Sequence, residues 1–161
     1  MRHSILRDGL IAGVLGATSV AVWFFFVDLF VGRPLATPFM LARGFLGLLG
    51  VEWTNQLLVV SVYTVFHYAA FVAVASIAAG LIHWGERVPG VLAGAFVLFV
   101  MIEFGFYLMT QILAQSPTYG GLSAVQVSVG NLIAAAVMGT YLWRAHPALK
   151  SGLDAALSGR P

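Results

Sequence analysis

Three residues able to hold a proton or a polar ligand, His67, Glu103 and Asn131, each fall within a long apolar stretch of the chain. At about 1.5 Å of rise per helical residue, His67 lies roughly 15 Å below the outer end of its stretch, Asn131 roughly 14 Å and Glu103 roughly 15–18 Å. An imidazole, a carboxyl and an amide from three stretches are thus expected in one layer. Tyr107, Thr110 and Gln111 continue the Glu103 face outward, and Tyr63 lies one turn from His67. The candidate ligand- or proton-binding set is therefore Glu103, His67, Asn131, Tyr107, Gln111 and Tyr63. The chemistry open to it is proton uptake by a carboxyl of raised pKa, or a hydrogen-bonded polar knot.

Other chemistries find little to stand on. The chain has no cysteine, which removes disulfides, thiolate metal sites and thiol redox reactions. A structural or catalytic zinc site, or a di-iron site, takes three or more ligands, and His67 with Glu103 supplies two. Haem held between two histidines needs them on facing helices. His67 and His83 share one expected helix, and His3 and His146 fall outside the apolar stretches. No His-Glu-x-x-His, Gly-x-Ser-x-Gly or phosphate-loop pattern occurs. No cofactor and no catalytic residue are expected, and the reading leans away from an enzyme.

The elements that must position these residues follow from composition. The 161 residues are 60% hydrophobic and 9% charged, with mean hydropathy +0.95. Soluble domains carry about 25% charged residues, so lipid is the expected solvent. A bilayer core about 30 Å thick takes about 20 apolar helical residues to cross. Four stretches qualify: 9–31, 57–81, 91–113 and 122–143. Glu103 costs about 2.5–3.5 kcal/mol at a helix centre, against about 0.3–0.6 returned by each large apolar residue around it, so the third stretch inserts. The expected fold is an all-α polytopic membrane protein: four transmembrane helices in an up-down bundle, forming one transmembrane domain over 1–161 with a loose tail at 148–161.

Packing and orientation can also be read. Gly9, Gly13 and Ala17 are spaced four apart, as are Ala12 and Gly16, so two edges of the first helix admit close neighbours. On the second stretch Ala69, Ala73, Ser76 and Gly80 are expected to supply small packing surface, and on the fourth Ser128, Asn131 and Ala135 are expected to form a stripe with Gly139. Between the first two spans, Thr37-Pro38 suggests an N-cap and first helical position. It opens a short interfacial or re-entrant helix over 38–49. Asp28 is expected to reach water or cap that connection. Six of the eight Lys and Arg residues fall in the N-terminus, second loop and C-terminal tail, which the positive-inside rule places in the cytoplasm. The basic residues are scattered, so the pI near 9.3 does not point to nucleic acid.

Several of these features occur together: Gly9-Leu-Ile-Ala-Gly13 followed by Gly16-Ala17, an aromatic half ending in Asp28, Gly32-Arg33-Pro34-Leu35-x-Thr37-Pro38, His67, Glu103-Phe104 and Gly130-Asn131. In this the chain resembles a group of small four-helix bacterial inner-membrane proteins of uncharacterised activity, over nearly its whole length. The resemblance implies the fold and carries no functional residue. Two functions are expected from different classes. One is a non-enzymatic packing or accessory component in contact with lipid and with copies of itself or a larger membrane complex. The other is a protein handling a small molecule, ion or proton through Glu103, His67 and Asn131, with His67 and Glu103 as the only metal candidates.

Overall fold

The computed structural model describes residues 5–50, 54–86, 88, 90–91, 124–148, 151 and 154. Among them are four helices: α1 (Ile5–Phe30), α2 (Ala36–Leu48), α3 (Gln56–Gly85) and α4 (Ala124–Ala145). Helices α1, α3 and α4 are long and apolar enough to cross a membrane; at about 1.5 Å per residue each exceeds a 30 Å core. The third expected span, with Glu103, Tyr107, Thr110 and Gln111, lies outside the described residues from position 92 onward.

Helix α1 is the shared strut, packed against both α3 and α4. Its two small edges explain why. Gly9 meets Ser76 of α3; at Gly13 a Cβ would lie 2.7 Å from the Val72 amide nitrogen and 2.9 Å from the Phe71 carbonyl oxygen. Only hydrogen fits there, and the two backbones touch. On the other edge Gly16 faces Met138 of α4. Without a hydrophobic drive between helices in lipid, such close approach is what binds them. The matching order of contacts, Ile5 to Gly80, Gly9 to Ser76 and Gly13 to Val72, makes α1 and α3 antiparallel. Helix α4 is antiparallel to α1 by the same logic, since Gly16 lies against Met138 and Trp23 against Gly130. Helices α3 and α4 therefore run parallel.

Two apolar clusters fill the bundle. Ala12, Ala75, Ala79 and Leu142 join all three long helices, and Val20, Phe24 and Ala134 join α1 to α4. The packing residues of α3 differ from expectation. Ala69 and Ala73 are exposed, while Ala75 and Ala79 are buried beside half-buried Ser76. Several faces of α3 carry small residues, and the glycine edge of α1 selects the one that fits. On α4, Ser128 and Gly139 are exposed and Asn131 and Ala135 half-buried; the buried stripe is Gly130, Ala134 and Leu142.

Helix α2 packs on the first turns of α3 through Ala42, Leu46 and Val59, with Phe39, Phe45, Val62 and Tyr63 around them. Phe45 stacks on Phe66 with centroids 4.2 Å apart. The start of α2 corrects the sequence reading. Leu35, not Thr37, is the N-cap residue, and it takes a left-handed backbone (φ 66°, ψ 15°) with no capping side-chain bond of its own. The acceptor comes instead from α1, as described below. Asn55 does cap α3, accepting from the Leu58 amide at 3.2 Å.

Candidate functional site

Helix α1 carries one buried aspartate near each end. Asp28, 5% exposed, accepts from the Thr37 amide at 2.8 Å and the Thr37 hydroxyl at 2.7 Å. A carboxylate suits the positive N-terminus of α2 and satisfies one of its orphan amides. It is a stronger acceptor there than the hydroxyl of Thr37, which becomes a donor. Of the two roles expected for Asp28, capping is the one observed; it does not reach water.

Asp8 is the counterpart. It falls in the first turn of α1, where the helix dipole favours a negative charge, and is 4% exposed. Tyr141 of α4 donates to its Oδ1 at 3.2 Å. Its Oδ2 lies 3.6 Å from Nε2 of His146, the residue immediately after α4. His146 is 2% exposed, and its Nδ1 donates to Glu86 Oε1 at 2.9 Å. Glu86 is the C-cap residue of α3, and its other oxygen lies 3.5 Å from Nδ1 of His83. Three helix ends therefore meet in one cluster: the start of α1 and the ends of α3 and α4.

No family model, curated protein or solved structure matches the chain. Chemistry has to be read from the residues alone. Among the described residues no group of three or more His, Asp or Glu side chains is arranged to hold a metal ion.

The residues singled out from the sequence have other surroundings. His67 is half-buried, and its Nε2 lies 3.1 Å from the Ala17 carbonyl oxygen of α1. A carbonyl only accepts, so Nε2 carries the proton of that bond. The ring also lies beside Tyr63 and Tyr68, each at 5.9 Å between centroids, and Phe71 at 4.8 Å. Tyr63 belongs to the α2–α3 cluster. Asn131 is half-buried on α4 and makes no hydrogen bond to His67. Glu103, Tyr107 and Gln111 lie outside the described residues, so the expected layer is described only at His67 and Asn131.

The Asp8–Glu86–His146 cluster is absent from the sequence reading. Depth matching at the bilayer centre does not reach it, and His146 falls outside the apolar stretches. The signal was present: once orientation is read from Lys and Arg, Asp8, His83, Glu86 and His146 all fall at the ends of spans on the same side.

Proposed function

We propose that this chain is a non-enzymatic integral membrane protein that packs as a component of an assembly, either with copies of itself or within a larger membrane complex. The observation that carries this reading is how the polar groups of the apolar helices are engaged. His67 bonds to the Ala17 carbonyl, the Trp23 indole donates to the Gln126 carbonyl at 2.9 Å, and Thr18 and Tyr68 share a 3.0 Å bond. Ser19, Thr64 and Ser76 each donate back to a carbonyl of their own helix. These bonds fix helix against helix and leave their groups committed to structure. The resemblance to small inner-membrane proteins and the placing of both termini in the cytoplasm belong to the same reading. So does a fourth crossing by 91–113, with which a parallel α3 and α4 agree.

The test is the mass of the purified full chain in mild detergent, with the detergent contribution subtracted. An oligomer or a stable larger assembly is expected. A monodisperse monomer with no partner overturns the reading.

A second reading is favoured by Asn131, a half-buried amide on α4 with no hydrogen bond among the described residues. In that reading Asn131 and His67 flank Glu103 in a protein that handles a small molecule, an ion or a proton. Glu103→Gln then abolishes any pH-dependent ion or ligand response of reconstituted vesicles, and an unchanged response rejects it.

A further inference from the structure

We propose that α4 is the face by which this chain pairs with a second copy of itself, and that two Asn131 side chains, meeting across a two-fold axis, hydrogen-bond to each other within that contact. The pairing rests on the reading of the chain as part of an assembly, and gives that assembly a surface and a partner.

Helix α4 differs from the other two long helices in what its polar side chains do. On α1 and α3, Thr18, Ser19, Thr64, His67, Tyr68 and Ser76 each make a hydrogen bond. On α4, the side chains of Ser128, Asn131 and Thr140 make none among the described residues. The two glycines of α4 divide in the same way. A Cβ at Gly130 would lie 3.1 Å from Cδ1 of Trp23, whereas one at Gly139 would meet nothing within 4 Å. Gly130 is covered by α1, and Gly139 is open.

The unengaged groups share a face. Ser128, Asn131, Leu132, Ala135 and Gly139 recur at helical spacings of three and four. Leu132 is 70% exposed, Ser128 and Gly139 are exposed, and Asn131 and Ala135 are half-buried. The face buried on α1 is a different one, running through Gly130 and Ala134.

The amide identifies the occupant. Lipid tails offer it neither a donor nor an acceptor, and a polar side chain in an apolar span gains from a partner on another helix. An amide carries one acceptor oxygen and two donor hydrogens, so it complements a second amide. Copies of a membrane protein enter with one orientation. A two-fold axis relating two of them therefore runs along the membrane normal, sets their α4 helices parallel and brings like residues together. Ala135 and Gly139, four apart, let the two backbones approach. A single amide in an otherwise apolar seam then fixes the register.

The cysteine-free chain makes same-residue cross-linking in lipid vesicles a direct test. Single cysteines replacing Ser128, Leu132, Ala135 or Gly139 are expected to give disulfide-linked dimers. Those replacing Val129, Ile133 or Val137, on the other side of α4, are expected to give none. Energy transfer between labelled copies, followed as the lipid is diluted, is expected to show Asn131→Ala dimerising about 5–30-fold more weakly than the parent. Asn131→Gln keeps an amide and is expected to fall nearer the parent. Should Asn131→Ala fail to fold, the cysteine pattern alone decides. Cross-linking without helical phase overturns the proposal, as does an Asn131→Ala dimer as tight as the parent. So does a disulfide within one chain between Asn131→Cys and Glu103→Cys, which gives the amide to the span 91–113. An oligomer by mass that lacks the cross-linking pattern overturns this pairing and leaves the assembly reading standing, whereas a monomer by mass removes both.

Discussion

The two aspartates of α1 are nearly equivalent in kind. Each is buried, each lies within about a turn of a helix end, and each accepts from a hydroxyl. They differ in who answers them. Asp28 is answered by Thr37, nine residues along the chain, so its bonds form as soon as the α1–α2 turn closes. Asp8 is answered by Tyr141 and His146, more than 130 residues away in sequence, with Glu86 behind His146. These partners come together only when all three long helices are assembled. Short loops close at small entropic cost, so one end of α1 is tied locally and the other by tertiary structure.

That contrast predicts where substitutions are felt. Asp8→Ala removes a buried carboxylate from beside His146 and the Tyr141 hydroxyl, a change expected to cost about 3–5 kcal/mol. Denaturant unfolding in detergent should show this loss, and hydrogen exchange should rise together at the ends of α1, α3 and α4. If exchange rises in α1 alone, the long-range character of the cluster is wrong.

Asp28→Ala removes two hydrogen bonds to a charged acceptor and is expected to cost about 1.5–3 kcal/mol. Faster exchange should be confined to α2 and the first turns of α3. Asp28→Asn sharpens the comparison. The amide oxygen accepts from the Thr37 N–H, and the Thr37 hydroxyl turns to accept from the amide nitrogen, so most of the cap survives. Asp8→Asn likewise keeps an acceptor for the Tyr141 hydroxyl but sets an uncharged amide beside His146, so its effect is expected to reach the end of α4 as well as α1. Exchange unchanged at α4 in Asp8→Asn would erase the distinction.

The smallest effect is expected at Leu35, which the same turn holds in a left-handed conformation. An L-residue with a Cβ gives up about 1–2 kcal/mol there, partly offset in glycine by its greater freedom when unfolded. Leu35→Gly should therefore raise the unfolding midpoint slightly, by up to about 1 kcal/mol. A clear fall would show that the half-exposed leucine side chain matters more than its backbone.

Legibility in the sequence followed the same divide. Hydropathy alone located α1, α3 and α4 to within a few residues, because a membrane demands long apolar helices. The Gly9–Gly13 edge could be read because its spacing recurs within one helix. Asp28 could be read as a cap because its partner is nearby, although Thr37 took the opposite role: a carboxylate from the preceding helix outcompetes a hydroxyl on the helix itself. The face of α3 could not be read, since Ala69 and Ala73 satisfy the same spacing as the buried Ala75 and Ala79. The partners of His67 and Asp8 depend on which helix lies beside which, and no local pattern carries that information.

The central position of α1 also has a consequence in time. Its glycine edges have their partners on α3 and α4, both of which follow it in the chain. At about 5–20 residues per second of synthesis, roughly 6–23 s separate the completion of α1 from that of α4. Through that interval the Gly16 edge, whose partner Met138 is on α4, lies against lipid or against whatever escorts it, and Asp8 waits near the membrane surface for a histidine not yet made. The first helix to enter is therefore the last to be fully satisfied.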